Sequence, residues 1–318
     1  MSARVLVTGA LGFVGKSVVA GALTGGFSVC ASSRQKVMQL GSRVGFIDVG
    51  DLDSATDWSL ALQGVHSVVH CAARAHVLHE TAVDPQAAFR LVNVDGTLNL
   101  ARQAVAARVK RFVFLSSIGV NGTQTAPGDA FSEAGAPHPQ NAYAISKWEA
   151  EQGLRHMADQ TGLEVVIIRP PLVYGLGAPG NFGALMRAVQ KGWPLPLGAV
   201  HNQRSLVALD NLVDFIITCI THPKAANQTF LISDGQDLST TELVRGMAQA
   251  AGVPARLLPV PMWALEWAGR LVGKGDAVQR LCGNLQIDSS KARDLLGWEP
   301  KVSVHEGLRR AMLGNAQP

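Results

Sequence analysis

The chain has 318 residues, of which 47% are hydrophobic and 16% charged, a balance that excludes a disordered polypeptide. Its net charge of +4 comes without a dense Lys/Arg block, which argues against a nucleic-acid groove but suits an anionic small ligand. No run approaches the roughly 18 apolar residues a membrane-spanning helix needs, and the isolated thiols Cys30, Cys71, Cys219 and Cys282 have no CxxC spacing; they read as reduced, packed side chains of a cytoplasmic protein rather than zinc ligands.

Residues 1–8 read as a strand running into glycine, not as a signal peptide. Further strands are predicted at 27–31, 44–49, 67–70, 112–116 and 165–168, after a first one centred on 5–7. Several are apolar without alternation, as strands buried on both faces of a parallel sheet are. Helical patterns lie between them at 14–23 and 87–107, the second with Asp84 as cap and Pro85 in its first turn. This βαβ alternation implies a doubly wound α/β domain over residues 1–170 with right-handed crossovers. Beyond it Pro170, Pro171, Pro179, Pro194 and Pro196 interrupt the pattern. Short strands at 205–208 and 229–232 alternate with helices at 212–221, 240–251 and 262–272. We expect a smaller mixed α/β lobe over residues 171–318, facing the carboxyl ends of the first domain's strands.

The first strand runs into Thr8-Gly9-Ala10-Leu11-Gly12-Phe13-Val14-Gly15, and a helix follows. Gly9 can make the tight turn, Gly12 lets N–H groups approach a pyrophosphate, and Gly15 lets helix and strand pack closely. The helix N-terminus then faces the anion with its unpaired N–H groups and its dipole. At the end of the second strand, where a carboxylate would bind a ribose 2′-hydroxyl, stand Ser32-Ser33-Arg34. A hydroxyl beside a guanidinium suits a 2′-phosphate, so the cofactor is NAD or NADP with a lean to NADP.

Tyr143-Ala144-Ile145-Ser146-Lys147 places a phenol and an ammonium four residues apart on one helix face. A nearby ammonium lowers a phenol pKa, which makes Tyr143 a general acid/base for interconverting a carbinol and a carbonyl. Ser116-Ser117 closes a buried strand, where a hydroxyl can hydrogen-bond the reacting oxygen. Among nine histidines none forms a metal-like set. His70 reads as core support, and His76 and His79 as solvated side chains.

With these residues in place, the chain resembles an extended short-chain dehydrogenase/reductase of the NAD-dependent epimerase/dehydratase family, the group that includes UDP-glucose 4-epimerases, with a Rossmann-type fold. Gly9, Gly12 and Gly15 match the family's nucleotide loop, Asp48-Val49 its adenine pair, His70-Cys71-Ala72-Ala73 the segment under the phosphates, and Asn93-Val94-Asp95-Gly96-Thr97 its NVxGT helix. Ser117 aligns with the catalytic serine, and Tyr143 and Lys147 with the catalytic pair. The run from Arg169 through Pro170 to Gly175 resembles the loop that closes the cofactor site. In the second half the resemblance implies a sugar diphosphate held by Asn181, Arg204 and Arg280, with Leu285 near the place where a large aromatic excludes N-acetyl sugars. It therefore implies a nucleotide-sugar 4-epimerase acting on a UDP-N-acetylhexosamine through a 4-keto sugar, or alternatively an NADPH-dependent 4-keto-sugar reductase.

The segments at 116–122 and 169–175 are most similar to relatives from bacterial O-antigen pathways, some of which act on lipid-linked sugars. A dehydratase fits less well, because Ser117 is followed by Ile118-Gly119 and not by an Asp-Glu pair. A non-catalytic nucleotide sensor would have no use for an intact Ser117, Tyr143 and Lys147. Relatives dimerise through the helices at 87–107 and 143–161, so the resemblance implies a homodimer. The Trp-rich stretch 259–272 is amphipathic and reads as a helix packed on the lobe or lying on a membrane surface.

Overall fold

A computed structural model describes residues 3–34, 44–75 and 82–313, except 272 and 274. His76 and His79 lie outside the described residues. The chain runs β1 (Arg4–Thr8), α1 (Phe13–Thr24), β2 (Ser28–Ser33), β3 (Val44–Asp48), β4 (Ser67–His70), α2 (Pro85–Arg90), α3 (Thr97–Ala106), β5 (Arg111–Leu115), α4 (Ala142–Thr161) and β6 (Glu164–Arg169). It continues through β7 (Leu172–Tyr174), α5 (Gly180–Gln190), β8 (Leu206–Ala208), α6 (Leu209–Thr221), β9 (Gln228–Leu231), α7 (Thr240–Ala250), α8 (Met262–Leu271), α9 (Gly275–Cys282), α10 (Ser290–Leu296) and α11 (Val304–Leu313).

Seven parallel strands form the main sheet in the order β3-β2-β1-β4-β5-β6-β9. Both faces are covered, which is why the strands read as unbroken apolar runs. One face packs Val5, Val7 and Val69 with Val18, Phe215 and Ile216 of α1 and α6. The other packs Leu6, Val68 and Phe112 with Leu100 and Leu154 of α3 and α4. The strand order reverses at β1/β4, and in such sheets ligands bind outside the carboxyl ends of the strands at this point.

Three elements differ from the sequence expectation. The strand expected at 229–232 in the smaller lobe is β9, which pairs with β6 and closes the main sheet. Helix α6 likewise packs on α1, so the chain leaves the first domain and returns to it. The helix expected at 87–107 is α2, a six-residue π-helical segment (Leu91–Gly96), and α3. Asp84 caps α2 as expected, accepting from the Ala87 N–H at 3.0 Å, with Pro85 in the first turn. The π segment carries Asn93, whose side chain is buried.

The remaining residues build a second layer around β7 and β8, α5, α7 and α11, packed through Phe182, Met186, Leu197, Val244 and Leu308. Tyr174 donates to the Asp234 carboxylate at 2.7 Å, and Asp234 also accepts from the Ala208 N–H and the Asn211 amide. This buried knot ties the lobe to the end of β9. Among the described residues no helix is long and apolar enough to cross a membrane.

Candidate active site

The carboxyl ends of β1, β4, β5 and β6 converge on one cleft. At the first, Gly9 has φ of +64°, and a Cβ there would stand 2.8 Å from the Ala72 backbone. At Gly15 a Cβ would meet the Gly9 carbonyl oxygen at 2.1 Å. The turn is thus packed too closely for side chains at either glycine. The Gly12 N–H closes it on the Gly9 oxygen at 2.8 Å. Helix α1 then starts with no side-chain cap, so its first N–H groups, from Phe13 and Val14 onward, open beyond the turn. A cradle of backbone donors at a helix N-terminus fits the pyrophosphate of a dinucleotide. Ala72 donates its N–H to Thr8 at 3.3 Å, so Cys71, Ala72 and Ala73 run directly against the loop. Ser33 ends β2 buried, Arg34 follows it exposed, Asp48 ends the neighbouring β3 and Val49 follows it.

His70 is fully buried and clamps three elements, its ring between Thr8 at 2.7 Å and Thr97 at 2.9 Å. Burial first, then the Lys147 charge, pushes its pKa down to about 3, so it is a neutral tie, as expected for core support.

Helix α4 starts at Asn141, which accepts from the Ala144 N–H at 2.9 Å. Tyr143 stands in its first turn, edge-on to Phe89 with ring centroids 6.1 Å apart. One turn on, Lys147 donates to the Leu115 carbonyl at 2.9 Å, 4.4 Å from the centre of the Phe114 ring. Ser117 lies two residues past the end of β5. Its hydroxyl oxygen accepts from the Gly119 N–H at 3.1 Å, which leaves the hydroxyl proton to donate. A Cβ at Gly119 would lie 3.3 Å from that oxygen and 3.4 Å from Ala144, so the serine turn and the start of α4 touch. Lys147 thus reaches back to the end of β5, and the turn that carries Ser117 touches the residue after Tyr143.

The electrostatics differ from expectation in one respect. Lys147 was expected to lower the Tyr143 pKa. Instead burial pushes the phenol up to about 12. Burial also pushes Lys147 down to about 8, against the opposing pull of Cys71 and Glu151. The ammonium is turned to the Leu115 carbonyl, and desolvation governs both groups. The chain has only two tyrosines, and burial and Asp234 raise Tyr174 as well. In the free protein, ultraviolet titration should therefore show no phenolate at pH 10, where an ordinary tyrosine is half ionised. The unfolded chain loses these protons first, so their contribution to stability falls as pH rises from about 10 to about 12. A phenolate signal at pH 10 with intact circular dichroism would refute this ordering.

Several expected contacts are occupied by the protein itself. Asn93, expected at the cofactor, accepts from the Arg74 N–H at 2.8 Å and donates to the Arg74 carbonyl and to Ser146 at 2.9 Å. It fastens the segment after β4 to α4. The Pro170 carbonyl accepts from the Ile118 N–H at 3.0 Å and so holds the serine turn. Arg204 donates to the Gly283 carbonyl at 2.8 Å, and its backbone bridges to Leu285. Leu285 is buried with Ile118, Leu231 and Ile287. Arg204 and Leu285 are thus neighbours beside the residue that follows Ser117. Asn181, in the first turn of α5, and Arg280, in α9, are exposed.

Sequence reasoning missed the ion pair beneath the site. Glu151, one turn beyond Lys147, and Arg169, at the end of β6, are both buried. Arg169 binds both Glu151 oxygens, at 2.9 and 2.5 Å, and the Asn121 side chain at 2.9 Å. Ser116 donates to the same carboxylate at 2.5 Å, and Arg155 adds a third partner at 3.0 Å. The network locks Ser116, and with it Ser117, to α4.

A Rossmann-type sheet with a glycine phosphate loop and a Ser-Tyr-Lys set defines a nicotinamide-dependent oxidoreductase or epimerase of the short-chain dehydrogenase/reductase type. The NAD dependent epimerase/dehydratase family matches residues 5–233, and the chain belongs to that family. A UDP-glucose 4-epimerase of Vibrio cholerae is 46% identical over 312 residues, covering 98% of this chain and 94% of its own. The N-acetyl-alpha-D-glucosaminyl-diphospho-ditrans,octacis-undecaprenol 4-epimerase of Escherichia coli O157:H7 is 28% identical, covering 98% of this chain and 95% of its own. The structure of a UDP-glucose 4-epimerase from Thermotoga maritima with UDP-glucose superposes with a TM-score of 0.76 at 23% identity, covering 98% of both chains, and so shares the fold. The enzyme is NAD(P)-dependent.

Proposed function

We propose that the protein is a nucleotide-sugar 4-epimerase that acts on a UDP-N-acetylhexosamine. The observation that carries this is the meeting of Ser117, Tyr143 and Lys147 beside the loop that fits a dinucleotide. The glycine loop, the α1 N-terminus and Lys147 would hold a nicotinamide dinucleotide, which would supply the hydride chemistry at the sugar C4. Tyr143 takes the proton of the C4 hydroxyl as hydride leaves, and gives it back when the 4-keto sugar has turned its other face. Ser117 hydrogen-bonds the C4 oxygen in both states. Lys147, one helical turn from the phenol, would bind the ribose of the nicotinamide cofactor. Arg204, with Asn181 and Arg280, holds the diphosphate, and the protein works as a homodimer.

The N-acetyl preference rests on Leu285, a modest side chain where a large ring would fill the space beside C2. The relative from Escherichia coli O157:H7 is named for such a sugar, and the one from Vibrio cholerae for UDP-glucose. Interconversion of UDP-GlcNAc and UDP-glucose with their C4 epimers, followed by NMR, tests the reading. Leu285→Tyr should lower turnover of the N-acetyl sugar at least about tenfold more than that of the plain hexose, the scale at which a pocket discriminates one small group. An unchanged ratio would move the sugar pocket elsewhere.

A second reading, an NADPH-dependent 4-keto-sugar reductase, is favoured by Arg34 at the exposed end of β2. Arg34→Ala should then weaken NADP(H) by about ten- to a hundredfold and leave NAD(H) nearly unchanged. Equal effects on both would remove Arg34 from cofactor choice. Oxidised nucleotide retained through purification would support the epimerase, and a freely exchanging site the reductase.

A further inference from the structure

We infer that α8 docks the enzyme on an anionic lipid bilayer. The helix is apolar on two opposite sides. Met262, Leu265 and Gly269 face inward, the first two against the lobe core and Gly269 against Val278 of α9. Trp263, Trp267 and Leu271 follow at four-residue intervals on the far side and are 72%, 63% and 66% exposed. A helix that had only to cover its lobe would carry polar residues there.

The chain leading into α8 extends the same character. Leu258 is 51% exposed, and its N–H pairs with the Leu195 carbonyl. Two residues before Leu195, Trp193 is 58% exposed, with Lys191 5.4 Å from its ring centre. Exposed cations accompany these rings: Lys191, Arg256 and Arg270, against one exposed acid on α8, Glu266.

Exposed tryptophans with Lys and Arg in the same segments match the boundary between headgroups and acyl chains. The positive balance selects an anionic surface. Ten residues make a helix of about 15 Å, too short to span a bilayer, so α8 would lie along the interface. The inference rests on this surface alone and is independent of the sugar and of the choice between epimerase and reductase.

Flotation of the full chain with phosphatidylglycerol/phosphatidylcholine vesicles, against phosphatidylcholine alone, tests it. The protein should bind the anionic vesicles at low salt, at least about tenfold better than the neutral ones, and lose that preference at high salt. Trp263→Glu with Trp267→Glu should abolish vesicle binding while cofactor affinity stays unchanged. Arg256→Glu with Arg270→Glu, which keeps the rings, should remove the anionic preference. Absence of wild-type binding, or binding by either variant at the wild-type level, would overturn the proposal. So would vesicle-independent self-association that the tryptophan changes dissolve, because the face would then be a contact between copies.

Discussion

Tyr143→Phe should fold normally, keep its edge contact with Phe89 and bind cofactor, yet lose two to four orders of magnitude in turnover, roughly the scale of general acid–base catalysis. The phenol oxygen is the only atom removed. What disappears is therefore a proton carrier, and the ring's packing on Phe89 is kept. On the proposed reading KM for the sugar should change little, because the diphosphate contacts assigned to Asn181, Arg204 and Arg280 do not use the phenol. The pH profile sharpens the test. With the free phenol near 12, activity that depends on its ionisation should rise with pH through the neutral range. Comparable turnover in wild type and variant would take Tyr143 out of the chemistry.

The largest stability effect is expected at Glu151→Ala. That change strands Arg169, whose guanidinium is buried and whose Nε and Nη2 groups are both spent on the carboxylate. Asn121 satisfies one further donor but no charge. Removing one partner of a buried pair costs about 3–5 kcal/mol, because the remaining charge loses its counterion. Ser116 loses its acceptor as well, so the turn carrying Ser117 should loosen and kcat should fall with stability. Glu151→Gln keeps the volume but removes the same charge and turns an N–H donor towards the Arg169, Ser116 and Arg155 donors, so it should also destabilise by several kcal/mol, which separates the ionic contribution from lost packing. Urea unfolding of the three proteins gives the order directly. A loss below about 1 kcal/mol for Glu151→Ala would mean that water or another group compensates Arg169.

Much of this was legible in the sequence, and its limits have physical causes. The glycine loop, the strand ends and the Tyr143/Lys147 pair are local patterns, in which spacing fixes geometry. β9 is not local: the strand at 229–232 shows its β character in its side chains, but nothing in those residues says that its partner is β6. The π segment is hidden likewise, because one widened turn leaves the helical periodicity of 87–107 nearly intact. The Glu151–Arg169 network draws on residues 116 and 121 from the connection after β5, 151 in α4 and 169 at the end of β6, and only the fold makes them neighbours. The rise of the Tyr143 pKa was missed because sequence shows a neighbouring charge but not the depth of burial.

The placing of β9 has a consequence for how the polypeptide is made. Until residues 228–231 leave the ribosome, β6 has β5 on one side only, and the outer edge of its segment EVVIIR presents a bare row of N–H and C=O groups. Roughly 60 residues separate the two strands, which at ordinary synthesis rates is about 3–12 s. During that interval the nascent nucleotide domain carries an open, apolar edge of the kind that recruits strands from other chains. Slower translation between 170 and 231 should therefore lower the yield of native enzyme, and chaperones that shield strand edges should restore it.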